Sequence, residues 1–167
     1  LSTGFRKHDL PDHIEQLAHD VIGAAIEVQL ELGPGLQESL YEQALLHELN
    51  LRNIHAQSQA EIATIKGPRI DLLIENTIVV ELKSIAQITD IHKAQLLSYL
   101  RAGRFPLGLL INFNTKLLRD ATHRVLNERA IPASREPASS PSRSSRSNQS
   151  TSCRDPKTQP TAMVGNA

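Results

Sequence analysis

Apolar residues recur at helical spacing from Leu10 onward. Ile14, Leu17, Ala18, Val21, Ala25, Val28 and Leu32 fall on one stripe, as in a helix that lays one face on a core. The pattern predicts a helix from Leu10 to Leu32, with Asp12 placed to cap it and Gly33-Pro34-Gly35 to end it. A second stripe of Leu40, Tyr41, Ala44, Leu45 and Leu49 predicts a helix from Glu38 to Asn50. Residues 54–65 carry no clear period, and a weak strand is expected at one or both ends. The period then changes from 3.6 to 2. In Ile70-Asp71-Leu72-Leu73-Ile74 and Ile78-Val79-Val80-Glu81-Leu82-Lys83, joined by a turn at Glu75-Asn76-Thr77, the residues Ile70, Leu72, Ile74, Ile78, Val80 and Leu82 make one wholly apolar face. Thr89 or Asp90 is placed to cap a third helix running through Ala102. Leu107 to Phe113 is the short apolar run expected of a strand buried on both sides. Residues 115–130 read as a final helix, or a short strand followed by a helix.

The hairpin carries the candidate chemistry. Asp71, Glu81 and Lys83 fall on its other face, and a three-residue loop sets Asp71 directly across from Glu81. Two carboxylates side by side repel, and they need a shared proton, a cation or an ammonium to coexist. Lys83 answers that need in part. A divalent metal answers it better, which is the layout of a hydrolase that cuts phosphodiesters with Mg²⁺. Glu-x-Lys alone is common on a solvated strand. Here the flanking Ile78-Val79-Val80 and Leu82 are those of a buried strand, where acids rarely sit without a purpose.

Other candidates are weaker. Gln95 and Tyr99 lie four apart and share a helix face, with His92 one turn earlier. Gln95 could orient a phosphate or a metal-bound water, although an ordinary helix face accounts for the pair. Glu38 stands in the first turn of its helix, where the dipole favours an acid. Its functional reading is a further acid pointing across the sheet toward Asp71. The histidines at 8, 13, 19, 47, 55 and 123 show no ligand spacing. There is no phosphate-cradling glycine loop and no serine or cysteine nucleophile motif.

Composition narrows the function classes. The 167 residues suffice for one domain with a real core, and 40% apolar with 22% charged residues fits a soluble globular chain. Aromatics are only 3%, so stacking platforms for single strands are nearly absent. The lone cysteine, Cys153, excludes an intrachain disulfide and suits a reducing, cytoplasmic location. No run reaches membrane-spanning length and no signal sequence is evident. The chain begins at Leu1 rather than Met, so its true start is expected upstream. From residue 133 on, Ser, Pro, Arg and Thr dominate, and a disordered tail over 133–167 is expected after a domain over 1–132. Of 18 basic and 18 acidic residues, five and two lie in that tail, which leaves 13 and 16 in 1–132. A mildly acidic domain is poor for tight nonspecific DNA binding, yet it tolerates a nuclease whose metal-free carboxylate site is itself negative.

With these residues in hand, the chain resembles the GxxExxY protein family, a branch of the PD-(D/E)xK nuclease superfamily. The naming pattern is present as Gly35-Leu36-Gln37-Glu38-Ser39-Leu40-Tyr41, and the hairpin resembles the Asp…Glu-x-Lys core. Ala94 to Leu100 and Gly108 to Phe113 resemble two later blocks, so the likeness spans roughly residues 12–126. It implies an α/β, restriction-endonuclease-like fold: a mixed central sheet flanked by helices. It implies Asp71 and Glu81, with Glu38, as ligands of Mg²⁺ or Mn²⁺. Lys83 would orient or deprotonate the attacking water, and Glu38 and Gln95 would complete the site. Nucleic acid, with DNA foremost, is the implied substrate, and no membrane partner is. One departure stands out: only Pro68, Arg69 and Ile70 separate Lys66-Gly67 from Asp71, where the family carries a longer segment. The shortening is expected to trim the first core strand or displace Asp71. The expected function is therefore a Mg²⁺-dependent nuclease, with a catalytically silent binding module as the alternative.

Overall fold

The computed structural model describes residues 10–62 and 69–131. Helix α1 spans Asp12–Leu32. Its cap is Pro11, whose carbonyl accepts the N–H groups of Ile14 (2.9 Å) and Glu15 (3.1 Å). Asp12 therefore lies inside the first turn, and with Glu15 it favours the helix N-terminus by charge rather than by a capping bond. Ile14, Ala18, Val21, Ala24, Ala25 and Val28 are buried, whereas Leu32, the last helical residue, is exposed. Helix α2, Glu38–Leu51, buries Tyr41, Leu45 and Leu49 and leaves Leu40, one position off that stripe, in solvent.

Five strands follow: β1 (Ala56–Glu61), β2 (Arg69–Ile74), β3 (Ile78–Lys83), β4 (Leu107–Asn112) and β5 (Thr122–Leu126). They lie in the order β1-β2-β3-β4-β5. All neighbours pair antiparallel except β3 and β4. Those two are parallel because helix α3, Asp90–Gly103, carries the chain back between them. Thr89 caps α3, and His92 Nδ1 accepts the Thr89 N–H at 3.0 Å. The result is the expected α/β architecture, a mixed sheet flanked by helices. Helices α1 and α2 cover one face, over Leu72, Ile74, Ile78, Val80, Leu82, Leu109 and Ile111. On the other face Leu96, Tyr99 and Leu100 of α3 pack on Leu73, Val79 and Leu110. Every residue of β4 is buried, as its unbroken apolar run demands.

Two expectations need correction. Residues 115–130 form no α-helix. Short 3-10 turns at Leu118–Ala121 and Glu128–Ala130 flank β5 instead. The Leu107–Asn112 strand would otherwise offer a bare hydrogen-bonding edge, and pairing from Leu107↔Leu126 to Ile111↔Thr122 covers it. Ile70, in turn, does not share the face of Leu72 and Ile74. It packs under α3 with Leu73 and Val79. The β1–β2 register steps from Ser58↔Leu72 to Ala60↔Ile70, leaving Gln59, at φ +51°, opposite Asp71. This left-handed residue twists the strand pair as a bulge does and re-aims the side chains beyond it. The short approach from Lys66 thus leaves β2 as long as β3, at six residues; the alternation breaks at Asp71 itself.

The chain divides into Leu1–Ser134 and Arg135–Ala167. The tail expected over 133–167 lies outside the described residues. Among the described residues, no helix is long and apolar enough to cross a membrane.

Candidate active site

The strand ladder between β2 and β3 runs from Ile74↔Ile78 to Leu72↔Val80. The next step of the same register would pair Asp71 with Glu81. There the side chain takes over from the backbone: Asp71 Oδ2 accepts the Leu82 N–H at 2.8 Å. Glu81, alternating with buried Val80 and Leu82, is only 7% exposed. Its Oε1 is buried and has no hydrogen-bond partner among the described residues. Lys83 Nζ lies 3.7 Å from Glu81 Oε2 and 3.9 Å from Glu38 Oε2, and it donates to the Leu82 carbonyl at 2.9 Å. Glu38, Glu81 and Lys83 are therefore brought together, with Asp71 beside them.

Electrostatics mark this spot. Burial pushes the Glu81 carboxyl up to about 7, and the neighbouring Asp71 charge adds to the rise, against a smaller lowering by Lys83. Burial also raises Asp71. The Leu82 N–H and Lys83 oppose that rise, while Glu42 and Glu38 on α2 reinforce it. These two acids resist carrying charge together, a condition that a bound cation relieves.

Residues 15–125 match the PD-(D/E)XK nuclease superfamily. The chain belongs to that superfamily. No match to a curated protein was found. Proteins of the PD-(D/E)XK nuclease superfamily generally use divalent metal ions, and the superfamily implies a nucleic-acid substrate. The unpartnered, buried Glu81 Oε1 next to a second acid fits such an ion. Among the described residues, however, no three His, Cys, Asp or Glu side chains converge as a ligand set. The fit is to an ion that takes one or two carboxylates and draws its other oxygens from water and phosphate, as Mg²⁺ commonly does.

Glu38 is tied to the chain that follows Lys83. Its Oε1 accepts the Ser84 N–H at 3.0 Å, and Ser84 Oγ donates to the Leu36 carbonyl at 2.6 Å. Tyr41, two residues into the next turn of the motif, donates its hydroxyl to the Gly33 carbonyl (2.6 Å) and accepts the Leu36 N–H (3.2 Å). Gly35 holds φ +97° between them, a conformation that only glycine adopts without strain. Gly35, Glu38 and Tyr41 thus clasp the α1–α2 turn to the chain just past Lys83. In this PD-(D/E)XK protein the motif's direct bonds are to backbone. Glu38→Ala is expected to cost about 1 kcal/mol of stability, and Glu38→Gln, which keeps an acceptor for Ser84, less; chemical denaturation of the two variants checks the order.

Gln95 is exposed, and its side-chain amide donates to the Tyr99 hydroxyl at 2.6 Å. No bond joins it to Asp71, Glu81 or Lys83 among the described residues. Sequence reasoning missed Asn112. It is 5% exposed, its Oδ1 accepts the Ile85 N–H at 3.1 Å and its Nδ2 donates to the Ile85 carbonyl at 2.8 Å. It fixes the loop leaving Lys83 from the other side. A lone amide ending an apolar run was the available signal. Glu42, which accepts bonds from Ser58 and Gln59 and raises Asp71, was also missed.

Proposed function

We propose that this chain is a Mg²⁺- or Mn²⁺-dependent nuclease of the GxxExxY branch, cutting phosphodiester bonds of DNA. The observation that carries the reading is Glu81: a buried carboxylate with an orphaned oxygen, beside Asp71 and 3.7 Å from the Lys83 ammonium. Asp71 and Glu81 would hold the ion, which supplies positive charge to the phosphodiester and acidity to water when bound. Lys83 has its ammonium held between Glu81 and Glu38. From there it can donate a hydrogen bond to the attacking water or to a phosphate oxygen as charge grows there. Glu38 and Asn112 act as positioning residues, fixing the backbone that follows Lys83. Burial around Glu81 keeps bulk water from screening the pair.

Incubating the full chain with plasmid or oligonucleotide DNA and Mg²⁺ or Mn²⁺ is expected to give cleavage, with Glu81→Ala slowed at least about a hundredfold. Wild type that cuts nothing, or Glu81→Ala that cuts equally well, defeats the reading. A silent binding module is the second reading, favoured by the lack of a three-ligand cluster among the described residues. Calorimetry separates the two: a silent domain binds Mn²⁺ no better than its Asp71→Asn variant.

A further inference from the structure

Arg101 and Arg104 at the end of α3 and Arg129 in the turn after β5 line one cleft of about 480 Å³, with Asn127 and Ala130. Among the described residues, no acidic side chain lines it. None of the three guanidiniums forms an ion pair among the described residues. In a segment with 16 acidic and 13 basic residues over 1–132, unbalanced positive charge gathered at one place calls for a reason.

The cleft is built on fixed parts. Asn127 is 4% exposed, and its Nδ2 donates to the Leu100 and Phe105 carbonyls, both at 3.1 Å. Its backbone N–H reaches the Pro106 carbonyl at 2.9 Å. The turn that carries Arg129 is thereby tied to the end of α3. Arg104 occupies a left-handed position, φ +58° and ψ +35°, where glycine would be unstrained. Arg104 thus places its side chain at the cleft against a backbone preference. The cleft also lies away from the acid pair. Leu107, which follows Pro106, pairs with Ile78, whereas Lys83 pairs with Asn112. Five strand steps of about 3.3 Å separate the two ends of the sheet.

Planar guanidiniums converging without a carboxylate are suited to the paired oxygens of a phosphate. We propose that this cleft is a phosphate-binding site, separate from the Asp71–Glu81–Lys83 cluster and independent of whether that cluster cuts anything. The phosphate comes from a nucleic-acid backbone or from a free phosphate compound, and the test has an arm for each.

Binding is measured on the full chain in EDTA, so that no cleavage intervenes. A labelled single-stranded oligonucleotide is followed by fluorescence anisotropy, and pyrophosphate by calorimetry. Wild type is expected to bind at least one of them. Arg101→Gln/Arg129→Gln is expected to weaken that binding about tenfold or more, and to lower the salt slope of oligonucleotide binding by roughly 1.4 for two lost contacts. Lys116→Gln/Arg119→Gln removes the same charge elsewhere and is expected to change affinity less than about twofold. Arg104→Gly is expected to bind more weakly while unfolding at a higher temperature, so that loss of binding is not loss of fold. Oligonucleotide binding alone identifies a strand backbone as the ligand; pyrophosphate binding identifies a free phosphate compound. Wild type that binds neither, or two double variants that behave alike, overturns the proposal.

Discussion

Replacing Glu81 with glutamine is expected to stabilise the metal-free protein at pH 8, by on the order of 3 kcal/mol. The sign follows from proton counts. Burial and the Asp71 charge raise the folded carboxyl to about 7 from an ordinary 4.5. Between those values the folded state holds a proton that the unfolded state has released. Stability from this group is therefore fully present below about pH 4.5 and is lost as pH rises through about 7. Asp71, shifted in the same direction, adds to the fall. Glutamine carries no charge to desolvate, so the variant's gain should vanish toward pH 4.5 and be largest above pH 7. Urea unfolding in EDTA at several pH values measures it. A variant destabilised equally at pH 5 and pH 8 would show that Glu81 is not held against its own ionisation. A divalent ion should reverse the wild type's alkaline loss and do little for the variant, because only the carboxylate gains from it.

Truncating Tyr41 is expected to be the most damaging single change outside the site. The ring is 0% exposed and stacks on Phe113, with centroids 4.2 Å apart and planes 10° from parallel. Tyr41→Ala should cost about 3–5 kcal/mol, a large share of what holds a domain of this size together. Tyr41→Phe keeps the stack and frees only the Gly33 carbonyl and the Leu36 N–H, so about 1–2 kcal/mol is expected. Chemical denaturation of both variants separates the ring from the hydroxyl. An alanine variant no worse than the phenylalanine one would mean that the stack contributes nothing.

Both strands of the central hairpin and the fully buried β4 were legible in the sequence, because β-branched and apolar runs of six leave few other structures open. The α1 stripe was equally plain. β5 was not. Thr122-His123-Arg124-Val125-Leu126 is short and of mixed polarity, and what makes it a strand is the edge of β4, supplied by residues some fifteen positions earlier. Nor does any local rule put Gln59 at a positive φ; Gly, Asn and Asp are the residues that favour it. That one residue decides where the alternation ends and hence how Asp71 meets β3.

The site divides along the same line. Glu81 and Lys83 could be placed by alternation along β3, and Asp71 by the turn length that sets it across from Glu81, although the alternation of β2 breaks at Asp71 itself. Glu38 was legible as an acid in a first helical turn, but its Ser84 partner lies 46 positions away and no spacing rule reaches it. Gln95 and Tyr99 do share a face as their four-residue interval requires; they spend the contact on each other. The arginine cleft was out of reach because Arg129 belongs to a turn where a helix was expected.

The clasp made by Gly35, Glu38 and Tyr41 has a consequence for tracing ancestry. These three letters hold the scaffold by main-chain bonds, and Tyr41 by its ring as well, so a lineage that abandoned its chemistry would still lose stability without them. Their presence in a chain attests to the shape it inherited. Whether the trade is still practised must be read from the acids and the amine one strand away.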